Sequence, residues 1–187
     1  SDILNLTKDA PLLDLTKAAP TLKTLRARVT WSMHPVHGAS LTQGFDLDLL
    51  NYVLNANEKI SGGADVVFFN NRVYNGGAIK RLQDERVGGK EECDYTLTAI
   101  PADKMHIDVY VSVFEAAQRG QHFGMMAGAR LTLEADGELV QAYAISDYAE
   151  MTMLHAGRLS RAAGGWTFQP IGEAAVANPN DVARACL

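Results

Sequence analysis

The sequence predicts an all-β protein, a β-sandwich of two mostly antiparallel sheets with one or two short helices. Many short segments alternate apolar and polar residues, and turns rich in glycine, asparagine or proline separate them. Stretches with helical periodicity are few and short. A chain of 187 residues is long enough to bury a large core, and we expect one domain over residues 1–187, with a tail over 173–187.

The strongest strand signal lies at residues 105–114, where Ile107, Val109 and Val111 alternate with polar or aromatic neighbours. Asp136-Gly137 stands between two alternating segments and is the strongest hairpin signal. Short helices are predicted at 115–119, at 146–150 and in the tail at 181–187. The predicted strands are, in order, 25–33, 45–54, 65–69, 78–82, 95–99, 105–114, 129–135, 139–145, 151–159 and 166–171.

The bulk composition excludes several classes of function. A net charge of −5 is opposed to nucleic-acid binding, which needs clustered lysine and arginine. No apolar segment reaches the ~18 residues of a membrane-spanning helix, so direct membrane insertion is not expected. The two cysteines, Cys93 and Cys186, match no disulfide or zinc pattern, which favours the cytoplasm. No catalytic motif is present, and we expect no enzymatic activity.

Two carboxylates one residue apart, Asp46 and Asp48, stand at the start of the predicted strand 45–54. Alternate side chains of a strand share a face, so these two lie roughly 7 Å apart on one side. Held together at the edge of an apolar body, they need a compensating cation or hydrogen-bond donors. Calcium suits such a site, because it takes six to eight oxygen ligands.

Other acids and one amide could join them at the same end of a sandwich. The candidate metal ligands from the residues alone are Asp46, Asp48, Asp65, Asn70, Asp84 and the acidic loop with Glu91, Glu92 and Asp94. The alternative is that these groups are solvated in turns or pair with nearby lysine and arginine side chains, Arg81 among them. Spacing alone favours that alternative, since surface carboxylates are common.

The chain also resembles the TerD-domain family of bacterial tellurium-resistance and stress proteins. The resemblance rests on residues 44–48 (Gly-Phe-Asp-Leu-Asp), 63–71 (Gly-Ala-Asp-Val-Val-Phe-Phe-Asn-Asn) and 119–124 (Arg-Gly-Gln-His-Phe-Gly) in that order. Segments 15–20, 29–31 and 166–172 extend it over roughly residues 3 to 172. The resemblance implies a calcium-binding β-sandwich with one or two ions, and it favours Asp46, Asp48, Asp65 and Asp84 as ligands, with Glu115 as a further candidate.

The loop after Asp84 departs from the pattern of that family. Glu85 stands where an amide is usual, Val87 where a hydroxyl is usual, and Lys90 brings a positive charge into the acidic segment, which lowers affinity for calcium. Two interpretations therefore stay open: a calcium-binding regulatory or scaffolding protein, or a metal-free interaction module of the same fold. A hydrolase that uses a metal-bound water is a third. The implied partners are other stress-response proteins, including membrane-associated complexes, or a second copy of the chain.

Overall fold

The structure, a computed structural model, describes residues 2–39, 44–82, 89–146 and 148–187. Its helices are short: α1 is Leu15–Ala18, α2 is Ala116–Arg119 and α3 is Pro179–Ala185. The strands are β1 (Ile3–Asn5), β2 (Leu13–Asp14), β3 (Leu25–Met33), β4 (Leu47–Asn55), β5 (Val66–Val67), β6 (Val73–Tyr74), β7 (Ile79–Arg81), β8 (Lys90–Tyr95), β9 (Lys104–Val113), β10 (Met126–Ala135), β11 (Glu138–Ala144), β12 (Met153–Ala162) and β13 (Gly165–Ala175).

These strands form two sheets. The first has the order β1-β11-β10-β3-β8-β7-β6 and the second β2-β13-β12-β9-β4-β5. Neighbouring strands are antiparallel except for β1 and β11, which run parallel. The predicted sandwich of two mostly antiparallel sheets is therefore confirmed.

The main core lies between the two sheets and follows the alternation of side chains along the strands. In β3 the inward residues Leu25, Ala27 and Val29 are buried, while the residues between them are partly exposed. Tyr95 of β8 and Phe168 of β13 are among its largest fully buried side chains and lie on opposite sheets. Burial of one face per sheet supplies most of the stability of such a fold.

Strand β4 is apolar on both faces, and its second face is covered by the C-terminal segment. Leu50, Tyr52 and Leu54 form a second cluster against which Val182 and Ala183 of α3 pack. Asn178 caps helix α3, and its side chain accepts a hydrogen bond from the Asp181 amide in a capping box. The Tyr52 hydroxyl donates to the Pro179 carbonyl at 2.9 Å. Among the described residues, none of the helices has the length and apolarity needed to cross a bilayer.

Three local predictions show what the sequence pattern does and does not reveal. The strand predicted at 25–33 is β3 with the same bounds, and Asp136 and Gly137 both have positive φ (50° and 86°), as a type I′ hairpin turn requires. The strand predicted at 95–99 is wrong, because β8 occupies Lys90–Tyr95 and a 3₁₀ turn follows it at Leu97–Ala99. The described part of 146–150 contains no helix.

Candidate functional site

The first carboxylates of the predicted site lie where β4 begins, as expected. Asp48 is buried, and alternation places it on the face of β4 that carries Leu50 and not on the face of Leu47 and Leu49. Asp46 is half-buried, and its carbonyl accepts a hydrogen bond from the Phe114 amide at 2.9 Å. That bond ties the start of β4 to the end of β9.

A buried arginine compensates two of the predicted ligands. Nη2 of Arg81, the last residue of β7, lies 3.1 Å from Oδ1 of Asp48 and 2.5 Å from Oε2 of Glu91. Arg81 pairs with Cys93 across β7 and β8. Its side chain therefore lies on the same face of the sheet as the side chains of Cys93 and Glu91. Bringing three ionised groups out of water is costly, and only close contact between opposite charges offsets that cost. Arg81 therefore balances the charge that the sequence assigned to calcium.

The other two acids of the predicted loop lie on the opposite face, because this segment is a strand and not a loop. Glu92 contacts Arg28 at 2.8 Å, Lys90 at 3.4 Å and Arg26 at 3.6 Å. Asp94 contacts Arg26 at 2.7 Å. Burial raises the pKa of Glu92, but the hydrogen bond and charge of Arg28 outweigh it, so that the pKa lies below the ordinary value.

This lowered pKa of Glu92 makes a prediction about pH. The stabilisation is present above the pKa of the unfolded carboxyl, near 4.5, and is lost as the pH falls through the lower folded pKa. We expect Glu92→Gln to be less stable than the wild type at about pH 6, with the difference shrinking towards about pH 3. Urea unfolding at the two pH values measures this difference. Glu138→Gln, at an exposed position of β11, is the control, and a difference for Glu92→Gln that grows on acidification would contradict the prediction.

Asp65 lies apart from Asp48. Tyr52 of β4 pairs with Val66, so Asp65 stands about five residues further along β4, roughly 16 Å from the level of Asp48. Its carboxylate accepts hydrogen bonds from the Ser61 amide at 2.7 Å and from Lys104 Nζ at 2.9 Å. Burial, aided by the charge of Asp65, raises the pKa of Tyr74 to about 12. Asp65 therefore forms a structural ion pair away from the start of β4.

Asn70 and Glu115 line the same cavity as Asp48, which has a volume of about 860 Å³. Asn70 is exposed in the turn after β5, and Glu115 contacts Arg119 at 3.0 Å. Asp84 lies outside the described residues. The structure thus brings Asp48, Asn70 and Glu115 to one cavity and places Asp48 and Glu91 on Arg81, whereas Asp65, Glu92 and Asp94 lie elsewhere.

The described residues do not form a cage of acids ready for calcium. Within them there is no group of three or more histidine, cysteine, aspartate or glutamate side chains placed to hold a metal ion. A buried guanidinium already lies between two of the carboxylates, and a divalent cation beside it would be repelled. The described part of the site therefore fits an internal cation better than a bound calcium ion.

The loop 119–124 contributes residues to this cavity that the sequence did not single out for it. Gln121 is buried, lines the cavity and donates to the Gly44 carbonyl at 3.2 Å, while Phe123 is fully buried as an anchor. The loop is thus both anchored in the core by Phe123 and part of the cavity wall through Gln121. Ser112 and Phe69 also line the cavity. Ser112 could have been found from the sequence, because it is a polar residue on the outward face of the predicted strand 105–114.

Comparison with known proteins agrees with this fold over most of the chain. The model of the TerD domain matches residues 3–184. Tellurium resistance protein TerD of an Alcaligenes species is 31% identical over 176 residues, which cover 90% of this chain and 85% of that protein. General stress protein 16U of Bacillus subtilis is 30% identical over 135 residues, 68% of this chain and 70% of that protein.

Two crystal structures share the architecture. A homologue of the telluride resistance protein TerD from Streptomyces coelicolor superposes with a TM-score of 0.69 at 17% identity, covering 87% of this chain and 95% of that one. A protein of unknown function superposes with a TM-score of 0.67 at 19% identity and the same coverage. At these identities the likeness concerns the fold.

Proposed function

This chain belongs to the TerD-domain family, and on that premise we propose that it acts in a tellurium-resistance or general stress response of bacteria as a non-catalytic binding protein. Its role is regulatory or scaffolding, and its site is held together by an internal arginine where the family resemblance implies calcium. The observation that carries this proposal is the position of Arg81 between Asp48 and Glu91.

The arginine can replace the structural effect of a metal ion. A cation at the end of a sandwich joins strand ends whose carboxylates would otherwise repel each other. Arg81 does this from within the chain, because it connects β7 to β8 through Glu91 and to β4 of the second sheet through Asp48. The geometry of this end is therefore fixed without the need for an ion from solution, and its surface is ready for a partner.

Calcium binding is the second candidate, favoured by one feature of the cavity. Asp48, Asn70 and Glu115 all line it, and side-chain carboxylates and amides are ligands that calcium takes in proteins. In this version the ion would lie at the cavity, with Asp46 and Asp48 as its first ligands and with Arg81 weakening the affinity. The two versions of the site make opposite predictions for the effect of calcium.

The test is thermal unfolding with excess calcium and with a chelator. If Arg81 replaces the ion, we expect the melting temperature to change by less than about 2 °C. A calcium site at 100 times its dissociation constant would add roughly 2.7 kcal/mol, a rise of about 5 to 10 °C for a chain of this length. Such a rise, abolished by Asp46→Ala, would contradict the metal-free version and support calcium. Glu138→Ala is the control for loss of one exposed carboxylate.

The proposal extends to the surroundings of the protein. Both cysteines are free thiols, Cys93 buried and Cys186 half-buried, which suits the reducing cytoplasm. The partners proposed are other proteins of the stress response, including membrane-associated complexes, or a second copy of the chain. Nucleic acid is not among them, because the net charge is −5.

A further inference from the structure

The cavity beside Asp48 has the size of a small-molecule site. Its volume of about 860 Å³ lies within the range of ligand pockets. Five parts of the chain line it: the start of β4, the turn at 68–70, the end of β9 with α2 and the loop that follows, residues 150 and 152 before β12, and the segment 176–181 before and at the start of α3. We call it the Phe-walled cavity, after Phe68, Phe69 and Phe114.

These three rings give the cavity an aromatic wall. The ring centroids of Phe68 and Phe69 are 5.2 Å apart and those of Phe69 and Phe114 are 5.3 Å apart, both in edge-to-face geometry. The guanidinium carbon of Arg119 already lies 5.1 Å from the centroid of Phe114. The wall is thus suited to alkyl chains and to cations, which are attracted by the faces of aromatic rings.

A buried hydroxyl is available inside the cavity. Ser112 of β9 is 4% exposed and lines the cavity. A serine hydroxyl has two lone pairs and can accept a hydrogen bond from a ligand that enters the cavity. Asp48, opposite Ser112 in the β4–β9 register, adds a carboxylate that Arg81 compensates.

The rim is acidic. Glu115, Glu150 and Asp181 line the cavity, and no lysine or arginine is among its described lining residues. Glu115 pairs with Arg119, and Asp181 is engaged by the Asn178 amide and by Arg184. Glu150 is exposed. The charge of this lining is therefore complementary to a positively charged ligand.

We propose that the Phe-walled cavity binds a small organic cation, a primary ammonium group on an alkyl stem. The ammonium donates to Ser112 Oγ and is attracted by the carboxylates of Asp48 and Glu150, while the stem packs against Phe69. This inference goes beyond the proposed function. The ligand class is an alkylammonium ion, and of the residues in the Arg81 ion pairs only Asp48 lines the cavity.

The test is isothermal titration of the full chain with 1,5-diaminopentane, with 1,5-pentanediol as the uncharged probe of the same stem. We expect saturable binding of the diamine and none of the diol. Ser112→Ala should weaken diamine binding about 10-fold, because a hydrogen bond to a charged group is lost. The melting temperature of this variant without ligand, measured beside the titration, shows that the fold is retained. Phe69→Leu keeps an apolar side chain and should weaken binding about 3- to 10-fold.

Glu150→Gln and Glu138→Gln form the matched pair for charge, since both glutamates are exposed but only Glu150 lines the cavity. We expect the first to weaken diamine binding and the second to leave it unchanged. Equal effects of the two would show general attraction to an acidic protein and overturn the proposal. Equal binding of the diol and the diamine would also overturn it, as would a diamine affinity that neither Ser112→Ala nor Phe69→Leu changes. Binding of a lysine peptide or of calcium without binding of the diamine would overturn it too.

Discussion

Replacement of Arg81 by methionine is expected to destabilise the protein by about 3 to 5 kcal/mol, the cost of removing one partner from a buried ion pair. Methionine occupies a similar volume but leaves the carboxylates of Asp48 and Glu91 buried without the guanidinium that contacts both. For a chain of this length the melting temperature should fall by roughly 6 to 20 °C. Thermal and urea unfolding measure the change.

A second substitution separates lost charge balance from lost packing. If the cost arises from the uncompensated charge of Glu91, then Arg81→Met with Glu91→Gln should be more stable than Arg81→Met alone. Arg130→Met, at an exposed position of β10, is the control and should change stability by no more than about 0.5 kcal/mol. A loss for Arg81→Met as small as that of the control would mean that Arg81 does not carry the charge balance of these acids.

The strands with clear alternation could be predicted from the sequence, and β3 and β9 show why. Each has one face in the core between the sheets, so that a period of two is visible over nine or ten residues. Strand β8 was missed because its inward residues are Glu91, Cys93 and Tyr95, and a buried glutamate does not look like a core position. The guanidinium of Arg81 on β7 compensates the charge of this buried glutamate.

The acids of the site could be found by residue type, but their distribution among faces could not. Glu91 and Glu92 are adjacent in sequence yet lie on opposite faces of β8, because consecutive side chains of a strand alternate. Asp48 lies on β4 and Asp65 directly precedes β5, the strand that pairs with β4. The distance between the two acids along β4 depends on the register of that pairing. Register is set by the packing of the whole sheet and not by the residues of the site.

Removal of residues 176–187 is expected to have the other large effect, a loss of about 5 kcal/mol or more. This segment covers one face of β4 and its surroundings, where Leu50, Tyr52, Leu54 and Ile60 are at most 7% exposed. Exposure of a buried side chain of this size costs about 1.5 to 3 kcal/mol when complete, and the four would be exposed in part. Among the described residues, four hydrogen bonds would also be lost: from Tyr52 Oη to the Pro179 carbonyl, from the Ile60 amide to the Cys186 carbonyl, from Thr152 Oγ1 to the Ala177 carbonyl and from the Ala177 amide to Thr152 Oγ1.

Alkaline titration of the tyrosines gives a readout specific to this face. Burial raises the pKa of Tyr52 well above its ordinary value, so we expect one tyrosine of the shortened chain to ionise at lower pH than in the full chain. Asn178→Ala, which removes only the helix cap, should cost about 1 kcal/mol and provides the intermediate case. If the shortened chain instead melts within about 2 °C of the full chain, the second cluster contributes little. The segment would then be a wall of the Phe-walled cavity and not part of the core, and diamine binding would be lost without loss of the fold.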